Sequence, residues 1–302
     1  MQHRATTLAG RGLLAITGED TTTYLQGLIS NDIEKVTDER AVFAALLSAQ
    51  GKFLHDFIVF RIALDGRTSV VLDLERARQA DLLRRLTLYR LRAKVEFLDV
   101  TDRLRTLALW GPNAAAQADL ASEPGAARTI AGGLIAVDPR HVGLGLRAWI
   151  PATAAEAVAA DLGFVLADEA AYDAHRLALG IPDGSRDVVI DKSLPLECGF
   201  DELNAVDYKK GCYVGQEMTA RTHYRATIRK RLYQVAIDGP LPAPGTPIMR
   251  GEAEAGEMRS GLGQQGLALL KIDEAKAAIE GRETLSAGTS RLRPTKPAWA
   301  NF

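Results

Sequence analysis

Apolar positions along the chain change period three times, and each change predicts a different kind of element. Gly12 to Thr17 reads as a first strand. Behind it, Tyr24/Leu28 and Leu25/Ile29 lie one helical turn apart, which predicts a short helix with Asp20 as its N-cap. Arg40 to Ser48 and Phe53 to Ile62 then read as two strands. The loop between them, Ala49-Gln50-Gly51-Lys52, has the glycine that a tight hairpin wants. Asp65-Gly66 marks a second turn before a strand at Thr68 to Leu74, and Glu75 to Arg92 reads as a helix through Leu82, Leu83, Leu86 and Tyr89.

A second unit of similar type follows. Thr106 to Trp110 is a strand that ends at Gly111-Pro112, with Pro112 placed where a helix begins and an Ala-rich helix after it. Strand-like segments around Ile130 to Val137 and Leu146 to Ile150 precede helices near Thr153 to Leu162 and Asp168 to Leu179. After Arg231 the texture turns to short apolar runs separated by Gly and Pro, at Leu232 to Ile237, Thr246 to Met249, Gly266 to Leu270 and Glu283 to Leu285. That is barrel or sandwich texture. The division this predicts is an α+β region of two interleaved units over 1–228 and a small β-domain over 229–302.

Composition narrows the function. The 302 residues are 47% apolar and 25% charged, with 37 Lys and Arg against 38 Asp and Glu. At roughly 100–150 residues per domain, two or three domains are expected. A net charge of −1 gives no global field to draw in nucleic acid or an anionic membrane, so neither is expected as a direct partner. Two cysteines, Cys198 and Cys212, form no disulfide framework and fit a reducing compartment. No apolar run approaches the roughly 18 residues of a membrane span. Arg4 and Arg11 are not followed by the apolar stretch of a secretory signal. The expectation is a soluble protein of the bacterial cytoplasm or, in a eukaryote, the mitochondrial matrix.

The small net charge hides a sharp reversal. Residues 183–206 carry Asp183, Asp187, Asp191, Glu197, Asp201 and Glu202 against Arg186 and Lys192, a net of −4. Residues 207–232 carry Lys209, Lys210, Arg221, Arg225, Arg229, Lys230 and Arg231 against Asp207 and Glu217, a net of +5. Such a run is either a solvated surface or a local site for an anion. Inside it, Gly211 and Gly215 bracket Cys212. The spacing suits a tight backbone that exposes a sulfur, and the adjacent lysines would favour its thiolate; a lone cysteine is equally a small core residue. On the strand at Phe53 to Ile62, alternation puts Asp56 on the face of Leu54, Ile58, Phe60 and Ile62. Buried there it is a proton-transfer candidate; near the strand start it could instead reach water. Cys198 and Cys212 with five scattered histidines show no zinc spacing, and no serine-hydrolase elbow, Rossmann fingerprint or Walker A is present.

The run Lys210-Gly211-Cys212-Tyr213-Val214-Gly215-Gln216-Glu217, followed by Ala220-Arg221, resembles the signature of the YgfZ-type folate-binding proteins, relatives of the glycine-cleavage T-protein (aminomethyltransferase). Arg176 with Gly180-Ile181-Pro182, Pro195-Leu196-Glu197, Arg231-Leu232, Leu109 to Ala114, and Tyr24 to Asp32 match the same superfamily in order. The resemblance implies two α+β units with ferredoxin-like elements and a C-terminal β-barrel arranged as a three-domain ring. It also implies a site for tetrahydrofolate or a one-carbon derivative, with Glu197 as the pterin carboxylate. An ionised acid there can accept two parallel hydrogen bonds. Arg231, Arg221, Lys210, Tyr213 and Gln216 are the further folate-binding candidates.

Two departures from the aminomethyltransferase bear on mechanism. Where that enzyme carries two adjacent aspartates, this chain has His55-Asp56. The aminomethyltransferase also has no counterpart of the thiol motif. Cys212 and Asp56 are therefore the candidates for chemistry. For the YgfZ branch the implied role is folate-dependent support of iron–sulfur cluster assembly or repair, acting with cluster carrier or client proteins and, indirectly, on tRNA thiomethylation. The rival roles are a folate-dependent aminomethyl or methyl transferase and a non-catalytic, folate-sensing adaptor.

Overall fold

The computed structural model describes residues 2–225 and 228–302. In chain order the first elements are β1 (Arg4–Thr7), β2 (Arg11–Thr17), α1 (Thr21–Gln26), β3 (Val42–Leu47), β4 (Phe53–Leu64), β5 (Arg67–Glu75), α2 (Gln79–Arg90) and β6 (Glu96–Asp99). Next come β7 (Leu104–Trp110), α3 (Ala114–Gln117), β8 (Ala127–Ile130), β9 (Gly133–Val137), β10 (Leu146–Pro151), α4 (Ala155–Asp161), β11 (Val165–Leu166) and α5 (Glu169–Leu179). The remainder is α6 (Gln216–Arg225), β12 (Lys230–Asp238), β13 (Pro247–Arg250), β14 (Ala253–Leu262), β15 (Gln265–Lys271), α7 (Ile272–Ile279), β16 (Leu285–Ala287) and β17 (Ser290–Thr295).

These form two compact units. The first comprises Met1–Ala49, Leu54–Tyr172 and Leu203–Gln216; the second comprises Gln50–Phe53, Asp173–Glu202 and Glu217–Phe302. The first unit is built on two sheets, β3-β4-β5-β2-β6 and β11-β1-β7-β10-β9-β8. Alternation along β4 gives each sheet face its job. Phe57 and Val59 pack with Leu82 and Leu86 of α2, while Phe60, one residue out of phase, stacks on Trp149 of β10 at 4.0 Å between ring centroids. Burying both faces explains why this strand reads as an almost unbroken apolar run. The β4–β5 hairpin turns at Asp65-Gly66, with φ of 51° and 76°, the double positive φ of a type I′ turn. The second unit holds a closed barrel, β12-β15-β14-β13-β16-β17, around Tyr233, Val235, Ile248, Met258 and Leu285. The mixed α+β class with a C-terminal barrel is the one the sequence predicts.

Several local expectations change. The first strand is β1, four residues long, ahead of the one predicted at Gly12. Asp20 does stand at the N-cap of α1, but its carboxylate accepts from the Lys94 backbone N–H at 2.8 Å and makes no capping bond. The helix expected from Glu75 starts as a tight turn at Arg76 and becomes α-helical at Gln79, because β5 continues through Glu75. The Ala-rich helix after Pro112 is a single turn. Asn113 sits in the left-handed region with φ of 53° and gives it no side-chain cap. The segment around Ile130 to Val137 is two strands, β8 and β9, folded back at Ala131-Gly132. No helix among the described residues is long and apolar enough to cross a membrane.

Candidate functional site

In the first unit, the segment carrying Cys212 is strapped along the connection after α1. Ser30 Oγ donates to Ala205 O at 2.6 Å, and Asn31 Nδ2 donates to Asn204 O at 2.8 Å. Asp207 N–H donates to Ser30 O at 3.0 Å, and the Asp207 carboxylate gathers Lys35 Nζ and the backbone N–H groups of Lys209 and Lys210. Burial opposes its ionisation, but those donors, Lys35 first, hold the Asp207 carboxyl below its ordinary range. Beyond the thiol, Val214 N–H donates to Gly27 O at 3.2 Å and its side chain packs on the core under α1. The loop is thus fixed on both sides of Cys212. The thiol itself is exposed, between exposed Gly211 and buried Gly215, the latter at φ of 85° where a side chain would strain the backbone.

The sequence candidates around the thiol are mostly in structural service. Lys210 is buried, and its Nζ donates to Ile29 O at 2.6 Å and Asn31 O at 2.8 Å, with the Tyr213 ring centroid 5.1 Å away. Burial lowers its pKa to about 8, against the pull of Asp32 and Asp207. The lysine read as a free cation for the thiolate or a folate tail is therefore a tie that closes the loop. Tyr213 is buried as well, and its N–H donates to Gln216 Oε1 at 3.3 Å, so the Gln216 side chain reaches back from the first residue of α6 to tie the loop.

Asp56 is also in the first unit. It is only 8% exposed, although it lies near the start of β4, and alternation places it on the face that carries Phe60. His55 points the other way, toward α2. Its Nε2 lies 2.9 Å from Asp81 Oδ2, and Arg78 donates to Leu54 O beside it at 2.6 Å.

The second unit holds the remaining candidates. Glu197 sits half-buried on a 3₁₀ turn, Pro195–Cys198, with proline fixing its first residue. Burial pushes its carboxyl pKa up; Lys230, the Leu194 backbone, Lys52 and Arg231 pull it back down. Lys52 and Lys230 are contributors that the sequence reading did not assign. Arg231 is buried: Nη1 donates to Leu196 O at 2.6 Å and Glu202 Oε2 at 2.9 Å, and the Phe302 ring lies 4.9 Å from its guanidinium. It buttresses the turn of Glu197, with that hydrogen-bonding nitrogen already engaged. Arg221, on α6, is exposed. Cys198 is buried and its thiol is pushed up to about 12 by burial. Residues 226 and 227 of the basic run lie outside the described residues.

Comparison with known proteins places these features in a family. Residues 9–123 match the family described as "GCVT N-terminal domain", and residues 229–302 match "CAF17, C-terminal beta-barrel domain". The fold resembles the crystal structure of the glycine cleavage system aminomethyltransferase T from Bartonella henselae, with a TM-score of 0.77 over 99% of this chain and 86% of that one, at 16% identity. The human "Iron-sulfur cluster assembly factor IBA57, mitochondrial" is 34% identical over 308 residues, covering 97% of this chain and 84% of its own length. Its mouse counterpart is 32% identical over 90% of this chain and 78% of its own, and the Neosartorya fischeri homologue is 31% identical over 88% and 69%. With identity at this level across nearly the whole length, the chain belongs to the IBA57 family of iron–sulfur cluster assembly factors, on the fold of the glycine-cleavage T-protein.

Proposed function

We propose that this protein supports iron–sulfur cluster assembly or repair by holding tetrahydrofolate, or a one-carbon derivative, through Glu197 and offering the Cys212 thiolate to the iron of a cluster. The contrast between its two thiols carries the reading. Cys198 is sealed in the interior, whereas Cys212 is exposed on a loop fixed at both ends. Thiolate is a good ligand for cluster iron, and coordination releases the thiol proton. The names of the relatives support the cluster as cargo; its handover between carrier and client proteins, with an indirect effect on tRNA thiomethylation through cluster-containing enzymes, belongs to this proposal. The place of work is a reducing compartment, the bacterial cytoplasm or, in a eukaryote, the mitochondrial matrix.

The residues fit folate in chemical type. A half-buried carboxylate on a turn begun by proline, flanked by cations that pull its burial-raised pKa back down, suits the paired donors of a pterin edge. Bound folate would supply a carrier of one-carbon units. Because Arg231 and Lys210 already hold protein partners, the glutamate tail is assigned to Arg221, which is exposed on α6, and to Lys230, whose charge acts on Glu197.

Two experiments check the halves separately. Titrating 5-formyltetrahydrofolate into the protein and into Glu197→Gln should show the dissociation constant rising about 10- to 100-fold, the loss expected for hydrogen bonds to a charged group. Equal affinity would remove Glu197 from the site. In cells lacking the protein, Cys198→Ala should restore cluster-dependent enzyme activity and Cys212→Ala should leave it near the empty-vector level; full rescue by Cys212→Ala would refute the thiol role.

A further inference from the structure

A cleft in the first unit, well away in sequence from the thiol loop, has the composition of a ligand site that the proposed function does not use. It has a volume of about 630 Å³ and lies where the ends of β2 and β5 meet the connection from α2 to β6. That volume is in the range of small-molecule sites. Arg67, Arg90, Arg92 and Lys94 line it against only Glu19 and Glu96. The local balance therefore favours an anion in a chain whose total charge is close to zero.

The cations are not equivalent. Lys94 Nζ pairs with Glu19 at 2.7 Å, so those two charges cancel. Asp65, close to Arg67 in sequence, is held by Arg103 through two hydrogen bonds of 2.7 and 2.9 Å. Among the described residues, Arg67, Arg90 and Arg92 have no carboxylate within ion-pair distance, so three guanidinium groups border one concavity against the single remaining carboxylate of Glu96. A guanidinium presents a planar fork of N–H donors that matches the oxygens of a phosphate. Thr17 and Thr68 add hydroxyls to the same lining.

The connection that carries two of these arginines is built at a cost. Leu91, between Arg90 and Arg92, has φ of 43° and ψ of −106°, a conformation an L-residue with a branched side chain avoids. Its side chain is 89% exposed, so core packing does not compensate. Gly18 allows the close approach that holds the far side of the loop, where an added Cβ would lie 2.0 Å from Lys94 O.

We propose that this cleft binds a phosphate-bearing ligand with at least two anionic groups, seated by Arg67, Arg90 and Arg92. The source is either a soluble phosphate compound or a phospholipid headgroup, and the test separates them. Pyrophosphate is titrated into the full chain by calorimetry at low salt, alongside sulfate and vesicles of phosphatidylcholine with and without phosphatidic acid. Pyrophosphate binding that weakens at least tenfold in Arg67→Gln/Arg90→Gln/Arg92→Gln, but is unchanged in the exposed barrel variant Arg293→Gln, supports a soluble ligand. Binding confined to the phosphatidic acid vesicles, and lost in the triple variant, supports a headgroup. Absence of binding to both probes, or binding that the triple variant retains, overturns the proposal, as does sulfate binding as tightly as pyrophosphate. The replaced side chains are exposed, and an unchanged circular dichroism melt confirms that the triple variant is folded.

Discussion

Asp187→Ala should destabilise the second unit by about 3–5 kcal/mol, the range for breaking a buried ion pair from one side. Asp187 is fully buried, and each carboxylate oxygen has two donors. One oxygen takes Arg176 Nη1 at 2.8 Å and Asp183 N–H at 2.8 Å; the other takes Ser260 N–H at 2.9 Å and Ser260 Oγ at 2.6 Å. Three stretches of chain converge on this one group: α5, the turn after Ile181, and β14. Removing it leaves Nη1 of a guanidinium that is 2% exposed facing an apolar methyl, with Asp173 as the carboxylate still paired to that charge, and takes the acceptor from both Ser260 donors. Asp173 keeps its bond from Arg176 Nε at 2.6 Å, so the loss falls on Arg176 Nη1, the Asp183 N–H and Ser260. Urea unfolding read together with peptide-resolved hydrogen exchange should place the loss in α5 and β14. Asp187→Asn, which keeps the shape and drops the charge, should fall between. A change below about 1 kcal/mol for Asp187→Ala would show that the network is not coupled as its geometry indicates.

That network also shows which parts of the molecule can be read from sequence. Arg176 and Gly180-Ile181-Pro182 stand out as a family pattern, but their physical role depends on Ser260, 84 residues away from the arginine. Strands β12 and β15 are visible because their inward positions are Leu, Val, Tyr and Ile. β14, Ala253–Leu262, is not visible. Its buried positions include Arg259 and Ser260, which are tolerable inside only because Glu257 and Asp187 meet them. β17 alternates in burial, but Ser290, Leu292 and Pro294 are a weak apolar signal. The candidate site divides the same way. Cys212 is marked locally, by the glycines at 211 and 215 on either side of it. Burial of Lys210 depends on carbonyls at Ile29 and Asn31, 181 and 179 residues distant, and nothing in its own neighbourhood announces them.

The stability of the first unit should fall by about 3 kcal/mol between pH 6.5 and pH 4 because of His55 alone. His55 is 2% exposed, and burial, reinforced by the Arg78 charge, lowers its pKa to about 4, against the pull of Asp81. In the unfolded chain the imidazole titrates near 6.5. Between those values the unfolded state binds a proton that the folded state refuses, so stability rises with pH across that window and is fully retained above it. At 1.36 kcal/mol per pH unit, the separation of the two values sets the size. Asp81 does not titrate in this range: burial opposes its ionisation, but hydrogen bonds from Arg85, Arg84 and His55 hold it well below the ordinary carboxylate range. His55→Gln keeps a polar partner for Asp81 and removes the titration, so its unfolding free energy should lose about 3 kcal/mol less than that of the native chain as the pH is lowered from 7 to 4. Parallel pH profiles for the two proteins would refute the assignment. A histidine that is neutral at physiological pH therefore stands where the aminomethyltransferase resemblance puts the first of two adjacent aspartates. Asp56 is left as the one carboxylate of that pair, and His55 serves the α2 side of the strand, anchored on Asp81.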